Sequence, residues 1–168
     1  MESHTEAKIS PFLDGLTAGT TRNVLTRTKN KKIENRPDNI GILKHLKWLY
    51  VRNCCCLGKL PVDIVQLESL ERLVLSATMI KDLPCSICML KHLKLLKLDD
   101  CALLEKLPED IGLLECLEEL DITHIGTSHL PQSIFRLKCL LITAPPELLQ
   151  FCNFPSEIET RTWYQPPL

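Results

Sequence analysis

The residues able to do chemistry are few. Asp99, Asp100, Asp121 and His124 lie near one another in the chain. Carboxylates beside an imidazole suit acid–base work or a metal ion. They read equally as a solvated acidic rim, and no sequence context marks a serine or cysteine as a nucleophile. The stretch "PCSIC" places Cys85 and Cys88 in a CxxC. A zinc site needs a second such pair or a following His pair; neither is present, so no metal is expected. "NCCCL" sets Cys54, Cys55 and Cys56 in a row, and the cysteines number nine, which is odd. That suits reduced thiols better than a disulfide framework. Cys116 and Cys139 recur at one position in successive segments, where packed thiols are expected. "GLTAGTTR" (15–22) has glycines but the wrong spacing for a phosphate loop, and no lysine to reach phosphate. The expectation is a chain with no cofactor and no catalysis.

The elements that would position these residues follow from the leucines. The chain has 168 residues, of which 45% are hydrophobic and only 5% aromatic, so any core must be aliphatic. The net charge of −1 points to neither nucleic acid nor a membrane surface as partner. No apolar run reaches the roughly 18 residues of a membrane span, and the polar start "MESHTEAKISPFLDG" lacks a signal-peptide core. A cytoplasmic location is expected, with the nucleus as a second compartment. Leu43, Leu67, Leu90, Leu114 and Leu137 open successive segments of one frame, LxxLxxLxLxx(C/T)xxLxxLPxxIxxL, with a period of 23–24 residues. "IENRPDNIGIL" (33–43) matches the tail of that frame, "LEKLPEDIGLL" (104–114). The LxxLxL part predicts a short strand with alternate leucines inward. The LPxxIxxL part predicts a turn and a single helical or 3₁₀ turn, with proline at its start. One unit cannot bury both faces, so the units must stack. The expected fold is an α/β solenoid, a curved parallel sheet on the concave side and short helical or 3₁₀ turns on the convex side. Residues 33–142 hold one partial and four full repeats. Residues 1–32 read as an irregular or disordered leader, and 143–168 as a proline-rich tail or cap.

These residues resemble the leucine-rich repeat family. "LKLDDCALLEKLPEDIGLLECLEELDI" and "LVLSATMIKDLPCSICML" alternate a C-x-x-L-x-x-L-P unit with a T-x-I-x-x-L-P-x-S-I unit. That alternation resembles the repeat region of plant nucleotide-binding immune receptors, especially those with a TIR domain. The resemblance implies a non-catalytic interaction module in defence recognition or signalling. Its partner would be a protein: an effector, a guarded host protein or other receptor domains. The chain departs from such receptors in having no GxxxxGK[ST] motif and no room for a TIR domain before residue 33, so it reads as a truncated relative or a piece of a longer receptor. A general intracellular scaffold like the Ras-group repeat proteins is the alternative. Those carry Asn at the position held here by Cys54, Thr78, Cys101 and Ile125, which favours the immune-receptor reading. In the fourth repeat, Ile125 and Thr127 break the pattern, and the frame ends after Leu140.

Inward positions Leu49, Val51, Leu73, Leu75, Leu96, Leu98, Leu120 and Ile122 are expected to be core. The other strand positions are expected to face solvent on the concave side: Lys47, Trp48, Tyr50 and Arg52, then Glu71, Arg72, Val74 and Ser76, then Lys94, Leu95, Lys97 and Asp99, then Glu118, Glu119, Asp121 and Thr123. The candidate protein-binding residues are Trp48, Tyr50, Arg52, Arg72, Val74, Lys97, Asp99, Glu119 and Asp121. The face grades from aromatic and basic to acidic. Exposed aromatics beside arginine are typical anchors; Trp48 and Tyr50 read either so or as packing for the N-terminal segment. "TRNVLTRTKNKK" holds Arg22, Arg27, Lys29, Lys31 and Lys32, a basic run that reads as solvated linker or as a localisation patch.

Overall fold

Alternating aliphatic residues make strands wherever both neighbours supply the same pattern. A computed structural model describes residues 44–55, 57–150 and 152–162, together with the backbone of two strands at 17–18 and 24–28. The frame's LxxLxL segments are β3 (Trp48–Arg52), β4 (Arg72–Val74), β5 (Leu95–Lys97) and β6 (Glu119–Asp121). They pair in parallel with equivalent residues abreast: Leu49 faces Leu73, Leu73 faces Leu96, and Leu96 faces Leu120. The inward residues named from the sequence form the core, each at most 1% exposed.

The return half of each coil is built on proline and isoleucine. Pro61, Pro84 and Pro131 precede 3₁₀ turns at Val62–Gln66, Cys85–Met89 and Gln132–Arg136, their φ near −65° matching the ring's own preference. The third coil has a shorter turn, Ile111–Leu113. In all four, the isoleucine N–H donates to the proline carbonyl three residues back, as Ile64 does to Pro61 and Ile111 to Pro108. The isoleucine side chains drop into the core at 0% exposure.

The corner after each strand has its own device. Asn53, Ala77, Asp100 and His124 all take a left-handed backbone, with φ of 54°, 53°, 59° and 54°. The first three donate their N–H to the next coil, Asn53 to Ser76 O, Ala77 to Asp99 O and Asp100 to Thr123 O. Below the corner, Cys54, Thr78 and Cys101 are buried. Thr78 Oγ1 donates to Leu75 O at 2.9 Å, Cys101 Sγ donates to the same carbonyl at 3.1 Å, and the two side chains lie 3.3 Å apart. Small polar side chains are needed here because the corner leaves a carbonyl away from water.

The irregular fourth coil is resolved in the same terms. Thr127 is 7% exposed where leucine was due, and its hydroxyl donates to His129 O at 2.9 Å. The following strand, β7 (Leu140–Ala144), arrives one residue early: Glu119 faces Leu141 where the 23-residue frame would bring 142. Cys139 takes φ 60° to make the shortcut.

The sheet extends past the repeats at both ends. Within the stretch read as a leader, β1 (Thr17–Ala18) and β2 (Val24–Thr28) pair antiparallel, and β2 joins β3 in parallel. Within the proline-rich tail, helix α1 (Pro146–Leu149) begins directly after Pro145, and β8 (Ile158–Thr162) adds to β7. Among the described residues the sheet has eight strands in sequence order, β1 to β8. The fold is a leucine-rich repeat solenoid.

Candidate protein-binding face

The outward side chains of β3 to β6 form columns across the sheet, because parallel register puts the same frame position abreast. The outermost column is Lys47, Glu71, Lys94 and Glu118, with alternating charge. Lys47 Nζ reaches Glu71 Oε1 at 2.6 Å, and Lys94 Nζ reaches Glu118 Oε1 at 3.8 Å. The hydrogen bond from Lys47 holds the Glu71 carboxyl below its ordinary pKa, with Lys94 and Arg72 adding attraction. The next column is Trp48, Arg72, Leu95 and Glu119. The Arg72 guanidinium lies over the Trp48 ring, 5.2 Å from its centroid, a cation–π contact. Trp48 remains 36% exposed. Tyr50 is half-buried and Arg52 exposed at the far end of the same strand.

Toward β6 the charges are engaged with one another. Lys97 Nζ lies 2.9 Å from Glu119 Oε1 and 3.9 Å from Asp121 Oδ2. Asp99 accepts from Ser76 Oγ at 2.6 Å, and Asp121 accepts from Thr123 Oγ1 at 2.6 Å and Thr123 N at 3.2 Å. His124 Nδ1 pairs with Asp100 Oδ1 at 2.9 Å on the exposed corner. The acidic and imidazole groups therefore divide into separate couples, and among the described residues they form no group able to hold a metal ion.

Three expectations about exposure are corrected. Val74, placed on the solvent side, is 1% exposed. It is outward on its strand but stands between Tyr50 and Lys97, whose longer side chains flank it. Ser76 and Thr123 are likewise buried, and each is satisfied by the neighbouring aspartate. Cys116 and Cys139, expected to be packed, are exposed, and the early arrival of β7 removes them from a shared position. Cys85 is exposed while Cys88 is 1% exposed, its thiol pushed up to about 11 by burial, with Asp110 and Cys85 adding to the rise. Cys88 therefore stays protonated at neutral pH and is a poor metal ligand. No described cysteine is in a disulfide. The basic run at 22–32 lies outside the described residues apart from the backbone of β2, and "GLTAGTTR" apart from that of β1.

Sequence reasoning missed the contacts between neighbouring coils within a column. The signal was available, since Trp48 and Arg72 hold the same frame position one coil apart. A hollow of about 360 Å³ beside α1 was not foreseen; Leu130, Phe135 and Leu148 line it with His129 and Glu147. Phe135 meets Phe154 edge-on there, centroids 5.4 Å apart, so the hollow lies on the seam that holds the tail to the last full coil.

No protein-family model matches the chain, and no curated protein does. Among solved structures, the chain is similar to a leucine-rich repeat protein of Leptospira interrogans: 30% identity, 65% of this chain covered and a TM-score of 0.46. The match spans about a third of that protein's length, 33%.

Proposed function

We propose that the chain is a non-catalytic protein-interaction module that binds a partner protein on its concave face. The observation that carries this reading is the Trp48–Arg72 stack beside Tyr50 and Arg52. Trp, Tyr and Arg are the types most enriched at binding hot spots, and here a hydrogen-bonded sheet holds them in fixed places. A photo-crosslinking amino acid at Tyr50 should capture a discrete protein from plant extract, whereas the same group at exposed Val62 on the convex side should not. Equal capture from both positions would sink this reading.

The finer role is defence recognition or signalling, as part of a plant immune-receptor-like protein in the cytoplasm or nucleus. The alternation of C-type and T-type units supports it. The ladder of Thr78 and Cys101 on Leu75 O gives that alternation a structural purpose. The competing reading is a general scaffold of the Ras-group kind. A reading frame encoding GxxxxGK[ST] immediately upstream in the gene would favour the receptor role; a repeat-only gene would favour the scaffold.

A further inference from the structure

The columns of the concave face do not carry equal net charge once their internal pairs are subtracted. Lys47 cancels against Glu71, and Lys94 against Glu118. Across β5 and β6, Lys97 alone faces Glu119 and Asp121, with Asp99 beside them on Ser76. That half is net acidic. Across β3 and β4, Arg52 and Arg72 remain, and neither has a carboxylate within ion-pair reach among the described residues. Arg72 is held over the Trp48 ring and is itself exposed, which leaves guanidinium N–H groups for a second partner. Arg52 is four residues along the strand from Trp48, about 13 Å at the rise of a β-strand. Half-buried Tyr50 and the buried Val74 form an apolar floor between the two cations.

We infer that the β3–β4 end of the concave face docks an acidic peptide segment of the partner, its carboxylates seated on Arg52 and Arg72 and an apolar side chain set down on Tyr50 between them. This rests on the concave face being the binding surface and adds the chemistry of what is bound. An extended peptide repeats its same-side residues every second position, so carboxylates four positions apart match the spacing of the two arginines. Guanidinium is suited to such partners because it donates to both oxygens of a carboxylate. A basic segment is rejected at this end by the two uncompensated cations.

The test uses the full chain and a rhodamine-labelled synthetic peptide of repeating Glu-Ser-Leu-Ser, which sets glutamates four positions apart with a leucine between them on one side, with glutamine and lysine in place of glutamate as counterparts. Fluorescence anisotropy at low salt should show saturable binding of the glutamate peptide, weaker by at least about tenfold for the glutamine version. Arg52→Gln and Arg72→Gln should each weaken binding about tenfold, with Arg→Lys at either site restoring part of it. Added salt should weaken the complex. Glu109→Gln, exposed beside the 3₁₀ turn Ile111–Leu113 and away from the strands, should leave it within about twofold. Equal affinity for the glutamine peptide, insensitivity to both arginine substitutions, or no saturable binding would overturn the inference. Preference for the lysine peptide would overturn it while leaving the concave face as binding surface. Loss of the cross-link at Tyr50 removes the parent reading instead.

Discussion

Ala77 sits at φ 53° in a corner that its neighbours fill with Asn53, Asp100 and His124. Asparagine and aspartate tolerate that backbone because their short polar side chains bond locally; alanine has no such relief. Ala77→Gly is therefore expected to stabilise the chain by about 0.5–1 kcal/mol, the relief of left-handed strain less the entropy of glycine. Ala102→Gly, two residues after Asp100 and without a positive φ, should be neutral or destabilising, and urea denaturation of both variants checks the pair. Glu71 gives a second residue-scale expectation. Its folded pKa is depressed, first by the Lys47 hydrogen bond, so its contribution is present above the unfolded pKa and lost as pH falls through the folded value. Lys47→Gln should flatten that acid-side loss, read as melting temperature from neutral pH into acid. Of these details the sequence shows the positions and hides the environment. The frame aligns Lys47 with Glu71 and Trp48 with Arg72, so their contacts were legible. The burial of Val74 was not, because it is set by Tyr50 and Lys97 on two other coils. The strain at Ala77 was not legible either, since nothing about alanine announces a left-handed corner.

Between elements, the spacing of the coils depends on one small residue. A Cβ on Gly112 would stand 2.1 Å from the carbonyl oxygen of Ser133 in the next coil, while Gly112 N–H donates to Ser133 Oγ at 3.1 Å. Gly112→Ala should force the two 3₁₀ turns apart and cost about 2 kcal/mol or more; a thermal melt indistinguishable from the parent would refute the close approach. The edge strands carry a different expectation. Among the described residues β8 is the edge of the sheet, with Glu159 and Arg161 outward and Ile158 buried, an arrangement that discourages pairing with other chains. Removing residues 156–168 uncovers the backbone of β7, whose inward Leu140, Ile142 and Ala144 are fully buried. The truncated chain should aggregate at concentrations where the parent stays dispersed, as light scattering would report. The strands of β3 to β6 were legible because their leucines repeat. β1, β2 and β8 were not, since they join the sheet through backbone pairing and lie outside the repeat.

For the molecule as a whole, strand order equals sequence order from β1 to β8, so each coil is held only by its neighbours. Leu96→Asp, in the middle rung at 0% exposure, should abolish the cooperative transition, because an unpaired buried charge costs several kcal/mol and a domain has only about 5–15 to lose. Ile158→Asp in the terminal strand should leave the transition in place and merely fray that end. Circular dichroism of the two variants distinguishes a continuous stack from independent parts; equal damage would argue against a one-dimensional one. The same sequential order makes the protein a spring with a defined step. Among the described residues no strand crosses another to lock it, so, drawn apart by its two ends, it gives way from an edge one coil at a time. Each repeat coil of 22–24 residues releases about 80 Å of chain while the rest keeps its register, so the molecule would lengthen under load by repeated small yields instead of a single rupture.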